Sequence, residues 1–145
     1  MADVVNKAGV LAYVGSQYTE YAYMWAEEPE GIPFGAALMR GTDKEKQCKL
    51  ATGQDAKFIG IAKAYQKNVY DKEQYENQTT VEIITKGKVW VKVSENVEAG
   101  DPVFVGGSSG AGIFRKSDEG SQSLQIDAVY ETKASNGQYA IVNLK

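Results

Sequence analysis

The sequence predicts an all-β fold: a single-domain β-sandwich or jelly-roll, or a β-barrel-like sheet, preceded by an extended N-terminal arm. The strongest observation is the alternation in residues 81–93, where Val89, Val91 and Val93 fall on one face of a strand and Trp90 falls on the other. A second observation is the recurrence of short apolar runs between turn residues, which gives roughly eight to ten strands. We expect the valine face to point into the core.

Length and composition limit the possible chemistry. A chain of 145 residues is one domain of ordinary size, which buries roughly 70% of the surface that its unfolded chain exposes. The single cysteine, Cys48, excludes an intrachain disulfide, and we expect a packed thiol. The absence of histidine removes the usual general base and the commonest transition-metal ligand. The acidic pairs at 43/45 and 71/73 lie among lysines, as on a solvated surface. We therefore expect no enzyme activity, no cofactor and no metal site.

The charge pattern and the apolar runs bear on location and partners. Asp3 and Lys7 interrupt the N-terminal residues, and no apolar run approaches the ~20 residues that a membrane span needs. The net charge is -3 and the lysines and acids are interspersed, which does not favour binding to phosphate backbones. We expect a soluble protein made in the cytoplasm, with neither nucleic acid nor a membrane as a direct partner.

The first elements are an arm and a strand with an aromatic face. Residues 1–14 carry apolar side chains without a clear period, which favours an arm ordered by a neighbouring molecule, so that the β domain spans residues 15–145. On this interpretation the arm can be removed without harm to the domain. Tyr21, Tyr23 and Trp25 then alternate with smaller residues and predict a strand.

The elements from residue 27 to residue 78 are short. Residues 27–35 hold two prolines and two glycines, so they form a loop or an edge. Further strands are predicted at 35–40, 48–50 and 58–65, with a polar turn at 41–46. Gly60 indicates a bulge or a close backbone approach. Residues 68–78 are the only helix candidate, although an exposed insert fits equally well.

The second half of the chain is predicted to form hairpins. After the strand at 81–93, the turn at 98–101 places Gly100 where a positive φ is needed, and the strand at 103–105 completes a predicted hairpin unit. The glycine-rich residues 106–112 lead into a short strand rather than a helix, which favours a loop over a phosphate cradle. Strands at 124–131 and 138–144 flank a Ser-Asn-Gly turn and predict a closing hairpin.

Several segments together resemble a known family. They are PFGAALMRG (33–41), KFIGIAKA (57–64), VEIITKGKVWVKVSENVEAGDPVFV (81–105), GIF (112–114) and LQIDAVYETKASNGQYAIVNLK (124–145). In this order and spacing they resemble the capsid cement, or decoration, proteins of tailed bacteriophages. The resemblance implies a non-enzymatic β-sandwich or jelly-roll that adds to the outside of an assembled head. It carries no catalytic residue over to this chain.

The resemblance and the residues together give a functional hypothesis. We expect a structural virion protein on the capsid exterior that bridges and stabilises major capsid subunits, with the major capsid protein and further copies of itself as partners. An alternative is a carbohydrate- or host-binding module of a phage tail or fibre, with the tyrosines stacking sugars. The candidate contact residues are Val4, Val5, Leu11, Tyr13, Tyr18, Tyr21, Tyr23, Trp25, Pro29, Ile32, Pro33 and Phe34.

Overall fold

A computed structural model describes residues 6–12, 19–65 and 73–145, and these residues form eleven strands and no α-helix. The strands are β1 (Glu20–Ala26), β2 (Ile32–Pro33), β3 (Ala37–Arg40), β4 (Gln47–Leu50), β5 (Phe58–Ala62), β6 (Gln74–Tyr75), β7 (Thr80–Lys92), β8 (Pro102–Val105), β9 (Phe114–Arg115), β10 (Leu124–Tyr130) and β11 (Tyr139–Leu144). The predicted all-β class is confirmed.

The long strand β7 organises the sheet. Its first half pairs antiparallel with β1 and β5, and its second half pairs antiparallel with β11. The order β1-β4-β3-β5-β7 returns to β1 and closes a first ring. The order β7-β11-β10-β8-β9 is closed by a parallel bridge from Val93 to Phe114, which makes a second ring. The chain is therefore a barrel-like arrangement of two rings that share one strand.

The alternation of β7 places its side chains as the sequence predicts. Val89, Val91 and Val93 are at most 1% exposed, while Trp90 on the opposite face is half-buried. The three valines belong to the larger of two buried clusters, which lies mainly between the strands of the second ring. Strands of the first ring, with β2 and β6, enclose the smaller cluster, which contains Ile83 of β7. Burial of both faces near the middle of β7 ties the two clusters together.

The predicted hairpin unit at residues 81–105 is wrong. The turn at 98–101 does form, with Gly100 at φ +90°. However, β8 pairs with β10 and β9, and not with β7. The chain between β7 and β8 forms a bridge from Val97 to Ala134, in the connection between β10 and β11. Strand β8 then takes its place in the second ring beyond β11 and β10. The place beside β7 is taken by β11.

Two other local predictions are confirmed. Strands β10 and β11 pair antiparallel, and the amide of Gln138 donates to the carbonyl of Ser135 across the predicted turn. Gly60 lies so close to β7 that a Cβ there would stand 2.2 Å from the carbonyl oxygen of Ile84. Strand β5 ends at Ala62, three residues earlier than expected.

Residues 9–12 correct the expectation of an arm separate from the domain. The amide of Gly9 donates to the carbonyl of Trp90 over 2.8 Å, and the amide of Trp90 donates to Val10. Leu11 forms a bridge with Val89 and packs against the larger cluster. These residues continue the line of β5 along one side of β7, and the amide of Ala64, just after β5, donates to the carbonyl of Gly9. The predicted boundary at residue 14 lies outside the described residues.

The candidate helix at 68–78 also needs correction where the structure describes it. Gln74 and Tyr75 form β6, which pairs antiparallel with β2. Tyr75 is only 4% exposed, because its ring packs into the smaller cluster. Residues 68–72 lie outside the described ranges.

Candidate functional site

An exposed aromatic face on β1 is the main feature of the candidate surface. Tyr21, Tyr23 and Trp25 are 39%, 64% and 60% exposed, whereas Met24 and Ala26 point into the smaller cluster. The alternation predicted from the sequence is confirmed. We call Tyr21, Tyr23 and Trp25 the aromatic face. Large aromatic side chains held in water at one face are typical of surfaces that bind another molecule.

The pairing of β1 fixes the position of these rings. Tyr23 lies opposite Glu82 of β7, and its hydroxyl donates to the Glu82 carboxylate over 3.4 Å. Trp25 lies opposite Thr80 on one side and Gln47 of β4 on the other. Burial, followed by the charge of Glu82, raises the pKa of Tyr21. The aromatic face therefore adjoins negative charge.

The loop at residues 29–34 divides between surface and core. Pro29 and Pro33 are exposed. Ile32 and Phe34 are 0% and 6% exposed, so the chain holds both side chains in its core, and their contact roles stay predictions. The physical reason is the β2–β6 pairing, which sets Ile32 opposite the buried Tyr75. Both side chains close one end of the smaller cluster.

The remaining candidates lie near the N-terminus. Leu11 is half-buried against the larger cluster, so it serves the domain itself. Val4, Val5, Tyr13 and Tyr18 lie outside the described residues, and their contact roles stay predictions.

Sequence reasoning missed a trio of packed rings beside the aromatic face. Phe34, Tyr65 and Tyr75 contact one another with ring centroids 4.9 to 5.4 Å apart. A groove of about 310 Å³ opens over two of them; its lining residues are Tyr23, Tyr65, Tyr75, Glu76, Thr79, Thr80 and Glu82. The exposure of Tyr65 could have been predicted, since in an extended chain it shares a face with Lys63 just after β5. Tyr75 could not, because polar residues surround it in the sequence.

Asp43 and Cys48 serve structural roles. Asp43 accepts from the amides of Glu45 and Lys46 and closes a turn. Burial raises the pKa of the Cys48 thiol to about 12, which makes it a packed, unreactive group. No cluster of three or more metal-binding side chains occurs among the described residues. No helix in the described ranges is long and apolar enough to cross a membrane.

One charged network holds the glycine-rich loop. The hydroxyl of Ser108 and the hydroxyl of Ser109 each donate to the same carboxylate oxygen of Glu119 over 2.8 Å. The other oxygen of Glu119 lies 3.1 Å from Nε of Arg115, whose Nη2 lies 3.2 Å from Glu95. These contacts pin the loop at 106–112 against β9. The predicted loop is confirmed, and its polar groups are used within the chain.

Comparisons with known proteins agree with this geometry. The family model described as structural cement protein (E217 gp24/Pam3 gp6) matches residues 8–145. A chain from "The capsid of Myoviridae Phage XM1" covers 100% of this chain and 94% of its own length, with a TM-score of 0.75 and 17% identity. The head fibre gp8.5 N base of bacteriophage phi29 covers 88% of this chain and 94% of its own, with a TM-score of 0.49 and 11% identity. Among curated proteins, no sequence matches.

The two informative comparisons establish different things. The phage XM1 chain shares the fold, since its identity is too low to carry more. The family model spans nearly the whole chain, from the N-terminal segment that pairs with β7 to the last residue. The chain therefore belongs to the family of phage structural cement proteins.

Proposed function

We propose that this chain decorates the outside of an assembled phage head and stabilises it by bridging neighbouring major capsid subunits. The observation that carries the proposal is the aromatic face of β1, where Tyr23 and Trp25 are more than half exposed. Aromatic side chains are enriched in protein interfaces, where they add large contact area at low entropic cost. Membership of the structural cement family supports the same conclusion.

The backbone of β1 adds a second means of attachment. Strand β1 meets β4 only at Trp25 and Ala26, while its pairing with β7 runs from Glu20 to Trp25. Within the described residues, the rest of β1 therefore pairs on one side only. An open strand edge offers backbone groups to an extended segment of a partner. The aromatic face and this edge lie on the same strand, so one partner segment can use both.

The proposed partners are the major capsid protein of the head and further copies of this chain, on the exterior of the virion. A protein that binds the assembled shell and not its free subunits stabilises the shell by mass action. Many copies of a modest interface give high avidity, so no single contact needs to be strong. The residues ahead of Asn6 are proposed to reach a neighbouring subunit.

The direct test compares heads with free subunits. Purified chain is mixed with mature heads of its phage that lack it, and separately with unassembled major capsid subunits, and co-sedimentation is measured. We expect binding to the heads alone. Equal binding to both, or binding to glycans and not to heads, would reject the proposal, and the glycan result would favour the alternative of a sugar-binding module.

A double variant links the binding to the aromatic face. Tyr23→Ser with Trp25→Ser should leave the melting temperature nearly unchanged, because both rings are exposed. It should reduce head occupancy at least tenfold, as for the loss of interface anchors. Gln125→Ser with Asp127→Ser, at two exposed positions on β10, is the control and should keep full occupancy.

A further inference from the structure

The groove beside the aromatic face has the construction of a binding site. Its floor is the ring of Tyr75, which is 4% exposed, and its walls include Tyr23 and Tyr65, which are 64% and 42% exposed. Thr79 and Thr80 also line it. Two exposed tyrosine side chains, Tyr23 and Tyr65, therefore line the groove, and the buried ring of Tyr75 is held in the smaller cluster.

The rings that line the groove are held in place before any ligand binds. The hydroxyl of Tyr75 donates to the carbonyl of Lys63 over 2.6 Å, which fixes its orientation. Tyr65 lies 5.0 Å from Tyr75 with an interplanar angle of 54°, and Phe34 supports both rings from the core side. Preorganisation lowers the entropy lost on binding.

The charge of the groove is negative. Of its lining residues, all of them in the described ranges, two are carboxylates, Glu76 and Glu82, and none is basic. The carboxylate of Glu82 lies 3.4 Å from the Tyr23 hydroxyl and 3.8 Å from Nζ of Lys63. Both distances are longer than the roughly 2.7–2.9 Å that is typical of a charge-assisted hydrogen bond. Since a carboxylate accepts at about four sites, Glu82 retains capacity for a second cation.

We infer that this groove binds an arginine side chain of a partner protein, with the guanidinium stacked on the exposed rings of Tyr23 and Tyr65 and paired with Glu82. Aromatic faces attract cations, and a planar guanidinium both stacks on a ring and donates two parallel bonds to a carboxylate. A lysine ammonium makes a point contact and loses the stacking. The inference rests on the proposed function in that the arginine is placed on a capsid subunit.

The first experiment measures the chemistry of the groove without heads. Full-length chain is titrated with N-acetyl-arginine methylamide and, separately, with its neutral citrulline analogue, and the tyrosine resonances are followed by NMR. We expect saturable shifts of Tyr65 and Tyr75 with the arginine ligand only. No saturable shift, or equal shifts with citrulline, would overturn the inference.

Two variants identify the carboxylate that acts. Glu82→Gln keeps the shape and removes the charge, and it should weaken arginine binding about fivefold. Asp127→Asn removes the same charge from an exposed position on β10 and should bind as the natural chain does. Equal weakening in both variants would overturn the pairing with Glu82, because a general loss of negative charge would then explain the effect.

Co-sedimentation with heads separates this inference from the proposed function. Glu82→Gln should reduce head occupancy, whereas Asp127→Asn should not. If the natural chain binds arginine but fails to bind heads, the proposed function is rejected, and with it the placement of the arginine on a capsid subunit. If heads bind Glu82→Gln as well as they bind the natural chain, the function stands and the inferred role of the groove is overturned.

Discussion

Val91 shows how strongly a single side chain depends on the facing of β7. It is fully buried in the larger cluster, between strands of the second ring. Val91→Asp would place an unpaired charge there, and we expect a loss of about 4 kcal/mol in the free energy of unfolding. For a chain of this size, the melting temperature should fall by roughly 10 °C. Circular dichroism during heating measures it.

The control for this prediction is the neighbouring residue. Lys92→Asp introduces the same acid on the exposed face of β7. It should change the melting temperature by only a few degrees, as is usual for surface substitutions, which cost about 0.5 kcal/mol or less. Similar melting temperatures for the two variants would contradict the described facing.

Glu119 gives a prediction for acid solution. The hydroxyl of Ser108, followed by that of Ser109 and by the charge of Arg115, lowers the pKa of Glu119 from its ordinary value of 4.5. A carboxyl with a lowered folded-state pKa stabilises the fold above its ordinary pKa, and this contribution disappears as the pH falls through the folded-state value. Glu119→Gln should therefore melt lower than the natural chain at pH 7. The difference should shrink as the pH falls below the ordinary value of 4.5 and through the lowered folded-state pKa.

The same pH series needs a second glutamate for comparison. Glu45 lies in an exposed turn, where its backbone amide donates to the Asp43 carboxylate, and Glu45→Gln keeps that bond. Its melting temperature should follow that of the natural chain across the whole series. A difference between Glu119→Gln and the natural chain that stays constant with pH would contradict the role of the ionised carboxylate.

The candidate surface was predictable from the sequence wherever the signal was local. Tyr21, Tyr23 and Trp25 alternate within one strand, so their common exposed face follows from strand geometry alone. The prolines and glycines around Ile32 and Phe34 predict a surface loop there. Their burial depends on the ring of Tyr75, more than 40 residues further along the chain. A contact at that separation leaves no pattern in either segment.

Elements show the same division between local and distant causes. The turn at 98–101 forms as its glycine predicts, yet the strands on either side of it do not pair. Turn residues determine the local bend, whereas the choice of partner depends on which apolar face is still open. For β7 that partner is β11, which comes from the end of the chain. The positions of most strands were therefore predictable, β6 excepted, and strand order was not.

The N-terminal segment gives a prediction that separates two parts of the expected arm. A chain that starts at Gly15 loses the hydrogen bonds of residues 9–12 to β7 and the packing of Leu11. We expect a loss of roughly 3 kcal/mol, because each such bond contributes about 1 kcal/mol. A chain that starts at Asn6 keeps these contacts and should melt as the full chain does.

Head binding distinguishes the two truncations further. Under the proposed function, the chain that starts at Asn6 should lose head occupancy although its melting temperature is unchanged. Full decoration by this shorter chain would remove residues 1–5 from the mechanism. An unchanged melting temperature in the chain that starts at Gly15 would contradict the pairing of residues 9–12 with β7.

For the whole molecule, the prediction concerns the stability of the head. Two rings share β7, and strands of both contribute to the two buried clusters, so under the proposed function the chain should hold two capsid subunits at a fixed separation. Heads that lack the chain should release DNA at a lower temperature than complete heads, and adding purified chain should restore the difference. Release of DNA is measured with a dye that fluoresces on binding it. Equal release temperatures would count against stabilisation of the shell.

Sharing of β7 between the rings also has a mechanical consequence. As a bridge under the proposed function, the chain carries tension between its points of attachment. The 13 residues of β7 extend over about 40 Å. Tension along this strand loads the ladders with β1 and β11 in shear, so many hydrogen bonds must break at once. Two barrels joined by a loop would instead stretch at the loop under a small force. Strand β7 thus makes the protein resist extension along the direction of this strand.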